Sequence, residues 1–184
     1  MKGIVFSEFL ELVEEKFGME MVDKIINQSD LKSQGAYTAV GTYEFSEMLQ
    51  LVQNLSNNTK ISIDDLLLVY GEHFFQVLER DYGKMLALYQ DPIEMLSSIE
   101  NHIHVEVKKI YPDAELPTFE VLEKTKTKLI MLYKSGRAMH QFGLGLMNKT
   151  FEFFNTSAEI VLEKIKKDGT EVKFLITQIP NGPK

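Results

Sequence analysis

Apolar residues recur at helical intervals through the first two-thirds of the chain. The spacing of three and four residues that places side chains on one helix face appears first at Val5, Phe9, Leu12, Val13 and Phe17. Similar amphipathic patterns predict three more helices, over residues 19–28, 44–55 and 66–78. Asp91-Pro92 then marks the start of another helix, because proline is favoured in a first turn, and this helix is predicted to run as far as Tyr111-Pro112.

After Pro117 the pattern changes to the alternation typical of β-strands. Strands are predicted over residues 118–123, 128–134, 159–166 and 171–177, with one helix over 137–154 between the two pairs. Asp168-Gly169 is a favoured hairpin turn between the last two strands. Helices followed by an antiparallel sheet indicate an α+β fold, with a four-stranded sheet in the C-terminal portion and a short tail over Pro180–Lys184.

Composition and charge narrow the possible functions. A chain of 184 residues suits a single domain, and its net charge of -7 with a pI near 5.2 argues against nucleic-acid binding, which needs a basic surface. The absence of cysteine excludes disulfides, zinc–thiolate sites and a cysteine nucleophile. No apolar run approaches the roughly 18 residues of a membrane span, and acidic residues interrupt the N-terminal segment where a signal peptide would be apolar. A cytoplasmic protein is expected.

Two histidines, His102 and His104, lie in the helix that begins at Pro92. Residues two apart point about 200° away from each other around an α-helix, so one metal ion cannot easily bind both. His104 shares a face with Val107 and Tyr111 and is predicted to point inward. A single inward histidine is a poor zinc site, whereas haem needs only one axial imidazole from the protein. A lone histidine on a helix is also commonly an ordinary core or surface residue, and the pattern alone leaves this open.

The segment Tyr133-Lys134-Ser135-Gly136-Arg137 follows a predicted strand. Alternate residues of an extended chain face the same side, so Tyr133, Ser135 and Arg137 are predicted to converge. Two hydroxyls and a guanidinium suit an anionic planar group, because arginine binds a carboxylate through two parallel hydrogen bonds. A solvated strand end with an incidental serine is the alternative.

Taken together, these segments resemble the haem nitric oxide/oxygen-binding domain, the module that also forms the sensor of soluble guanylate cyclase. Met1–Val5 is similar to the first helix of the family. The run from His104 to Tyr111-Pro112 is similar to the segment that carries the family's iron ligand. Tyr133, Ser135 and Arg137 match the family's Y-x-S-x-R motif. The resemblance covers essentially the whole chain. It implies a helical sub-region over residues 1–60 and an α+β sub-region over 61–184 that holds haem b buried between the two portions.

The resemblance also implies a role for individual residues around the haem. His104 is the expected iron ligand, Tyr133, Ser135 and Arg137 bind the haem carboxylates, and Pro117 presses on the porphyrin. Oxygen-binding members of the family carry a tyrosine five residues after the motif arginine, where this chain has Phe142. The other expected residues of the gas-binding side are Val5, Phe9, Phe74 and Leu146, none of which donates a hydrogen bond. The resemblance therefore predicts a protein that binds NO and CO and excludes oxygen.

The implied mechanism is a ligand switch without catalysis. NO binds ferrous iron opposite His104, the histidine is released, and its helix is freed to signal to a separate protein, either a histidine kinase or a cyclic-di-GMP enzyme. No catalytic residue set is recognised, and no enzyme activity is expected. The alternatives are a haem-free module for apolar ligands, an oxygen-binding haem protein, and a peroxidase that would use His73 or His140 as a distal base. The sequence suggests a solvent position for His73 and leaves His140 open.

Overall fold

Residues 1–179 are described by a computed structural model, and these residues form seven α-helices, one π-helical turn and a four-stranded sheet. The elements are α1 Ile4–Phe17, α2 Met19–Asn27, α3 Phe45–Thr59, α4 Ile63–Leu86, α5 Pro92–Ser97, the π turn Ile99–Ile103, α6 His104–Ile110, β1 Thr118–Lys124, β2 Lys128–Lys134, α7 His140–Phe153, β3 Ser157–Lys164 and β4 Glu171–Ile179. The α+β prediction is confirmed, while the predicted tail over Pro180–Lys184 lies outside the described residues. In the described part of the chain, no helix has the length and apolar character of a membrane-spanning segment.

Two of the helices are longer than the sequence pattern predicts. α3 continues to Thr59, and Lys60 then ends it in the left-handed conformation, with φ of 65°. α4 extends well beyond residue 78 to Leu86, with Tyr82 as one non-helical residue near its end. Polar side chains in a last turn do not end a helix when its opposite face stays in contact with the core. The polar residues after positions 55 and 78 were therefore wrong indicators of where the two helices end.

Two further differences lie beside the motifs. The continuous helix predicted from Pro92 is divided into α5, the π turn and α6, so the hydrogen-bonding pattern changes just before His104. The helix predicted from residue 137 begins only at His140, because Ala138 adopts a left-handed conformation with φ of 51°. A left-handed residue cannot continue a right-handed helix.

The N-terminal helices α1–α3 pack a core of their own against the first half of α4. Phe6, Ile25, Leu51 and Tyr70 are almost completely buried there. The Tyr70 hydroxyl donates a hydrogen bond of 2.5 Å to the carbonyl oxygen of Val5 and so ties α4 to α1. α1 is thereby fixed in position against α4.

The sheet has the order β1-β2-β4-β3, with every neighbouring pair antiparallel. One face packs against α5 and α7, and its fully buried residues alternate along the two central strands: Leu129, Met131 and Tyr133 on β2 and Val172, Phe174 and Ile176 on β4. Alternation of this kind fixes the register, since a shift by one residue would expose the whole apolar set. Tyr133 is therefore held at the end of β2 by the core itself.

α4 and α7 cross with their backbones almost in contact. A Cβ atom added at Gly71 would lie 2.1 Å from the carbonyl oxygen of Phe142, and one added at Gly145 would lie 2.2 Å from that of Leu68. Both separations are far below van der Waals contact, so only glycine fits without movement of the helices. The crossing brings Phe74 and Phe142 together, with ring centroids 5.4 Å apart.

Replacement of Gly145 by alanine is expected to lower the free energy of unfolding by about 1–3 kcal/mol, the usual cost of overpacking a tight contact. The reason is that the neighbouring atoms, Leu68 O and Glu72 N, belong to the backbone and cannot rotate away. Gly83→Ala is the matched control, because no atom of residues 1–179 lies within 4 Å of its added Cβ atom. Helix propensity predicts no loss and a gain of up to about 1 kcal/mol. Denaturant titrations of the two variants test this, and equal stabilities would contradict the close crossing.

Candidate functional site

A cavity of about 260 Å³ with mostly apolar walls lies where α1, α4, α6, α7 and the start of the sheet meet. Nine of the ten residues expected from the sequence line it: Val5, Phe74, His104, Pro117, Tyr133, Ser135, Arg137, Phe142 and Leu146. Phe9 does not, because it lies one helical turn beyond Val5 and packs behind the wall, with its ring centroid 5.3 Å from that of Tyr70.

His104 is the first residue of α6 and directs a largely buried side chain, 14% exposed, to this cavity. Val107 and Tyr111 line the same cavity, as their spacing from His104 predicts. Burial lowers the pKa of His104 below its ordinary value, although the nearby Glu100 carboxylate acts in the opposite direction. The imidazole is therefore neutral at neutral pH and has a lone pair available for a metal.

His102 lies in the π turn and points elsewhere. Its Nδ1 atom is 2.5 Å from the Tyr89 hydroxyl, which also accepts a 2.9 Å hydrogen bond from the Ser98 hydroxyl. This polar cluster occupies the His102 ring at a distance from the cavity. The prediction that the two histidines do not share one site thus agrees with their surroundings.

Tyr133, Ser135 and Arg137 do converge, but through a turn instead of an extended segment. Tyr133 ends the buried row of β2, Ser135 donates its backbone N–H to the Thr170 carbonyl at 2.9 Å, and the Arg137 N–H donates to the Ser135 hydroxyl at 3.2 Å. Burial raises the pKa of Tyr133, with Ser135, Met139 and Arg137 acting in the opposite direction. The phenol is thus a neutral hydrogen-bond donor at the cavity wall.

The Arg137 guanidinium binds a carboxylate in this structure, that of Glu115. Nη2 lies 2.5 Å from Glu115 Oε2, and Nη1 donates to the Glu115 carbonyl oxygen at 2.6 Å. Glu115 is exposed, with 82% of its side chain accessible, while only 18% of the Arg137 side chain is. The fork at this position is thus shaped for an anionic oxygen ligand, and the Glu115 carboxylate stands in for one.

Another part of the cavity lining, formed by Val5, Phe74, Phe142 and Leu146, is aromatic and aliphatic. The Phe142 ring packs against Tyr70 and Phe74 at centroid distances of 5.0 and 5.4 Å. The hydroxyls of Tyr70 and Thr150 are already committed, since Tyr70 donates to Val5 O and Thr150 donates to Leu146 O at 2.9 Å. The cavity-lining side chains of Val5, Phe74, Phe142 and Leu146 carry no hydrogen-bond donor.

Two tyrosines that line the cavity had no assigned role in the sequence analysis, Tyr82 and Tyr111. Burial, together with Tyr111 and Asp81, raises the pKa of Tyr82 to about 12. The spacing of four residues from Phe74 through Leu78 to Tyr82 along α4 was the signal that could have found it.

The remaining histidines lie outside this cavity. His73 Nδ1 is 4.0 Å from the carboxylate of Glu15 on the neighbouring helix. His140 is buried against Gly169 and lines a second cavity instead, near Asp64 and Lys164. The question that the sequence left open for His140 is therefore answered by its position, which is not on the wall formed by Phe74 and Phe142.

The donor set fits haem. One neutral, buried imidazole faces an apolar cavity, and an arginine fork with two hydroxyls lies at its edge. A porphyrin brings four nitrogen ligands and two carboxylates of its own, so it requires this combination from a protein.

Comparison with known proteins agrees with this arrangement. The family model described as Haem-NO-binding matches residues 2–162. The A71G mutant of the H-NOX protein from K. algicida, in the Fe(II) unliganded state, is 74% identical, with a TM-score of 0.97 over 98% of each chain. The IWP-051-bound H-NOX from Shewanella woodyi in the Fe(II)CO state is 34% identical, with a TM-score of 0.82 over 100% of this chain and 97% of that one.

A longer relative is the soluble guanylate cyclase gcy-35 of Caenorhabditis elegans. It is 22% identical over 193 residues, which include 99% of this chain. This chain spans only 28% of the length of that protein.

Proposed function

This chain belongs to the Haem-NO-binding family, and from that membership we propose that it senses nitric oxide at a ferrous haem. The family comprises haem-based gas-sensing domains related to soluble guanylate cyclase. The observation that carries the proposal is one apolar cavity with His104 on one wall and Tyr133, Ser135 and Arg137 at its edge. These residues supply an axial imidazole and the donors for two carboxylates.

When bound, haem supplies an iron with one position for an imidazole and one for a diatomic gas. His104 offers a neutral imidazole, because burial lowers its pKa. Arg137 already binds a carboxylate, so a haem carboxylate would exchange with that of Glu115. The chain has no cysteine for thioether attachment, which favours haem b held without covalent bonds.

The preference for NO follows from the wall around Phe142. Iron-bound oxygen carries partial negative charge and loses about 1.5–3 kcal/mol where no donor can reach it. Val5, Phe74, Phe142 and Leu146 provide none, and the Tyr70 hydroxyl is used by Val5 O. NO binds ferrous iron strongly without such a bond, and CO is accepted for the same reason.

The output is movement of the helix that carries His104. With haem bound, His104 would hold the iron, and its release on NO binding would leave α6 without this anchor in the cavity. Pro117, a rigid ring that also lines the cavity, would press on the haem while that anchor holds. Residues 1–184 act as one sensing domain without enzyme activity, and the signal passes to a separate histidine kinase or cyclic-di-GMP enzyme.

The ligand assignment is tested by two histidine variants. His104→Gly is expected to bind haem poorly unless imidazole is supplied, because the side chain that enters the cavity is lost. His102→Gly should keep the visible spectrum of the unaltered protein, since that ring is occupied by Tyr89. Haem titration of both variants, with and without imidazole, is the measurement. A spectrum lost in His102→Gly and kept in His104→Gly would overturn the assignment.

The carboxylate contacts are tested by haem affinity. Arg137→Ala should cost roughly 1.5–3 kcal/mol through lost charge-assisted hydrogen bonds, and Ser135→Ala about 1 kcal/mol. Lys134→Ala is the matched control, because this neighbouring cation is exposed and lies 3.6 Å from Glu120. Rates of haem transfer to an acceptor protein measure the differences. Unchanged retention in Arg137→Ala, Ser135→Ala and Tyr133→Phe together would refute this role.

Gas selectivity is tested by absorption spectra of the ferrous protein in air, NO and CO. No stable oxygen complex is expected in air, whereas NO and CO should each give a stable complex. Phe142→Tyr is expected to restore oxygen binding only in part, because Phe74 offers no group to orient the new hydroxyl. A stable oxygen complex of the unaltered protein would contradict the proposal. A colourless protein that takes up no added haem would favour the alternative, a haem-free module for apolar ligands.

A further inference from the structure

The π turn places a carboxylate beside the histidine that faces the cavity. Within this turn Ile103 N–H bonds to Ser98 O, at 3.3 Å, and the His104 N–H bonds to Ile99 O, one residue further back than in an α-helix. Such turns are rare and occur frequently at functional sites. Glu100, the second residue of the turn, lies four residues before His104 and on the same side.

The Glu100 carboxylate is fixed by a second contact. Its Oε1 atom accepts a hydrogen bond of 2.7 Å from the backbone N–H of Phe119, the second residue of β1. The same Oε1 atom lies 3.2 Å from His104 Nδ1. The ring N–H is not well aligned with it, and Nδ1 is fully buried without another partner. The distance is already that of a hydrogen bond, so only the angle has to change.

We propose that Glu100 is a positioning residue for His104: its carboxylate accepts the Nδ1–H, fixes the tautomer, and leaves Nε2 as the atom that binds iron. This inference rests on the proposed function and extends it. Histidine ligands of metals almost always donate their other N–H to such a group, which fixes the ring and raises its basicity. His102, with Nδ1 against the neutral Tyr89 hydroxyl, has no comparable partner.

The carboxylate affects how readily the switch operates. A negative acceptor at Nδ1 increases the electron density of the imidazole and strengthens its bond to iron, so release of His104 becomes harder. Because Glu100 is also bonded to β1, the released ring retains a partner attached to the sheet. Glu100 thus slows the dissociation of His104 from the iron when NO binds.

Resonance Raman spectroscopy of the ferrous, gas-free protein tests this through the iron–histidine stretch. The Glu100→Gln variant keeps an oxygen for the Phe119 N–H and removes only the charge, so it should fold while its stretch moves to lower frequency. In stopped-flow mixing with NO, His104 should dissociate about tenfold faster in this variant, in line with the 10–100-fold effects of such partners. Glu100→Ala should show a larger shift in the same direction.

Glu106→Gln is the control for loss of one negative charge on the same helix, since Glu106 pairs with Lys109 and not with His104. Its stretch and its NO kinetics should equal those of the unaltered protein. A Glu100→Gln stretch at the unaltered frequency, or an equal shift in Glu106→Gln, overturns the inference. If the unaltered protein shows no iron–histidine stretch that disappears in His104→Gly, the proposed function itself is refuted. The failure of this inference and the failure of the proposed function therefore give different results.

Discussion

The crossing of α4 and α7 controls the shape of the candidate site. Two glycines, Gly71 and Gly145, allow the backbones to approach until an added Cβ atom would lie about 2 Å from a carbonyl oxygen. At that separation the side chains on either side of the crossing must project away from it, and Phe74 and Phe142 project into the cavity. The close backbone contact therefore fixes the positions from which these two rings line the cavity.

Much of the fold could be read from the sequence because burial follows simple periodicities. The alternation along β2 and β4 and the helical spacing of α1 predicted these elements and most of their buried residues, although Phe17 at the end of α1 is exposed. The site residues followed from motifs, and all but Phe9 lie at one cavity. The prediction for Phe9 was wrong because helical spacing indicates which residues are buried. It does not indicate whether a buried side chain lines a cavity or packs in the core behind it.

What the sequence did not reveal depends on local hydrogen bonding. The π turn has the same apolar spacing as an α-helix, so nothing in the pattern signals the extra residue before His104. The left-handed conformation of Ala138 is a local backbone feature, and the hydrogen bond that Glu100 accepts from Phe119 N–H in β1 joins residues 19 apart in sequence; periodic patterns contain neither. Both features lie beside the motif residues and determine their geometry.

The loop between α6 and β1 connects these features. Asp113 accepts a hydrogen bond from Lys2 Nζ at 2.8 Å and another from the Thr42 hydroxyl at 2.9 Å, while Glu115 binds Arg137. The loop thus joins the helix that carries His104 to the N-terminal segment on one side and to the arginine fork on the other. Both carboxylates of these ion pairs are exposed to solvent, which screens each interaction and leaves it individually weak. Under the proposed mechanism, displacement of α6 would strain both ion pairs, and exchange of a haem carboxylate for Glu115 would already have released one of them.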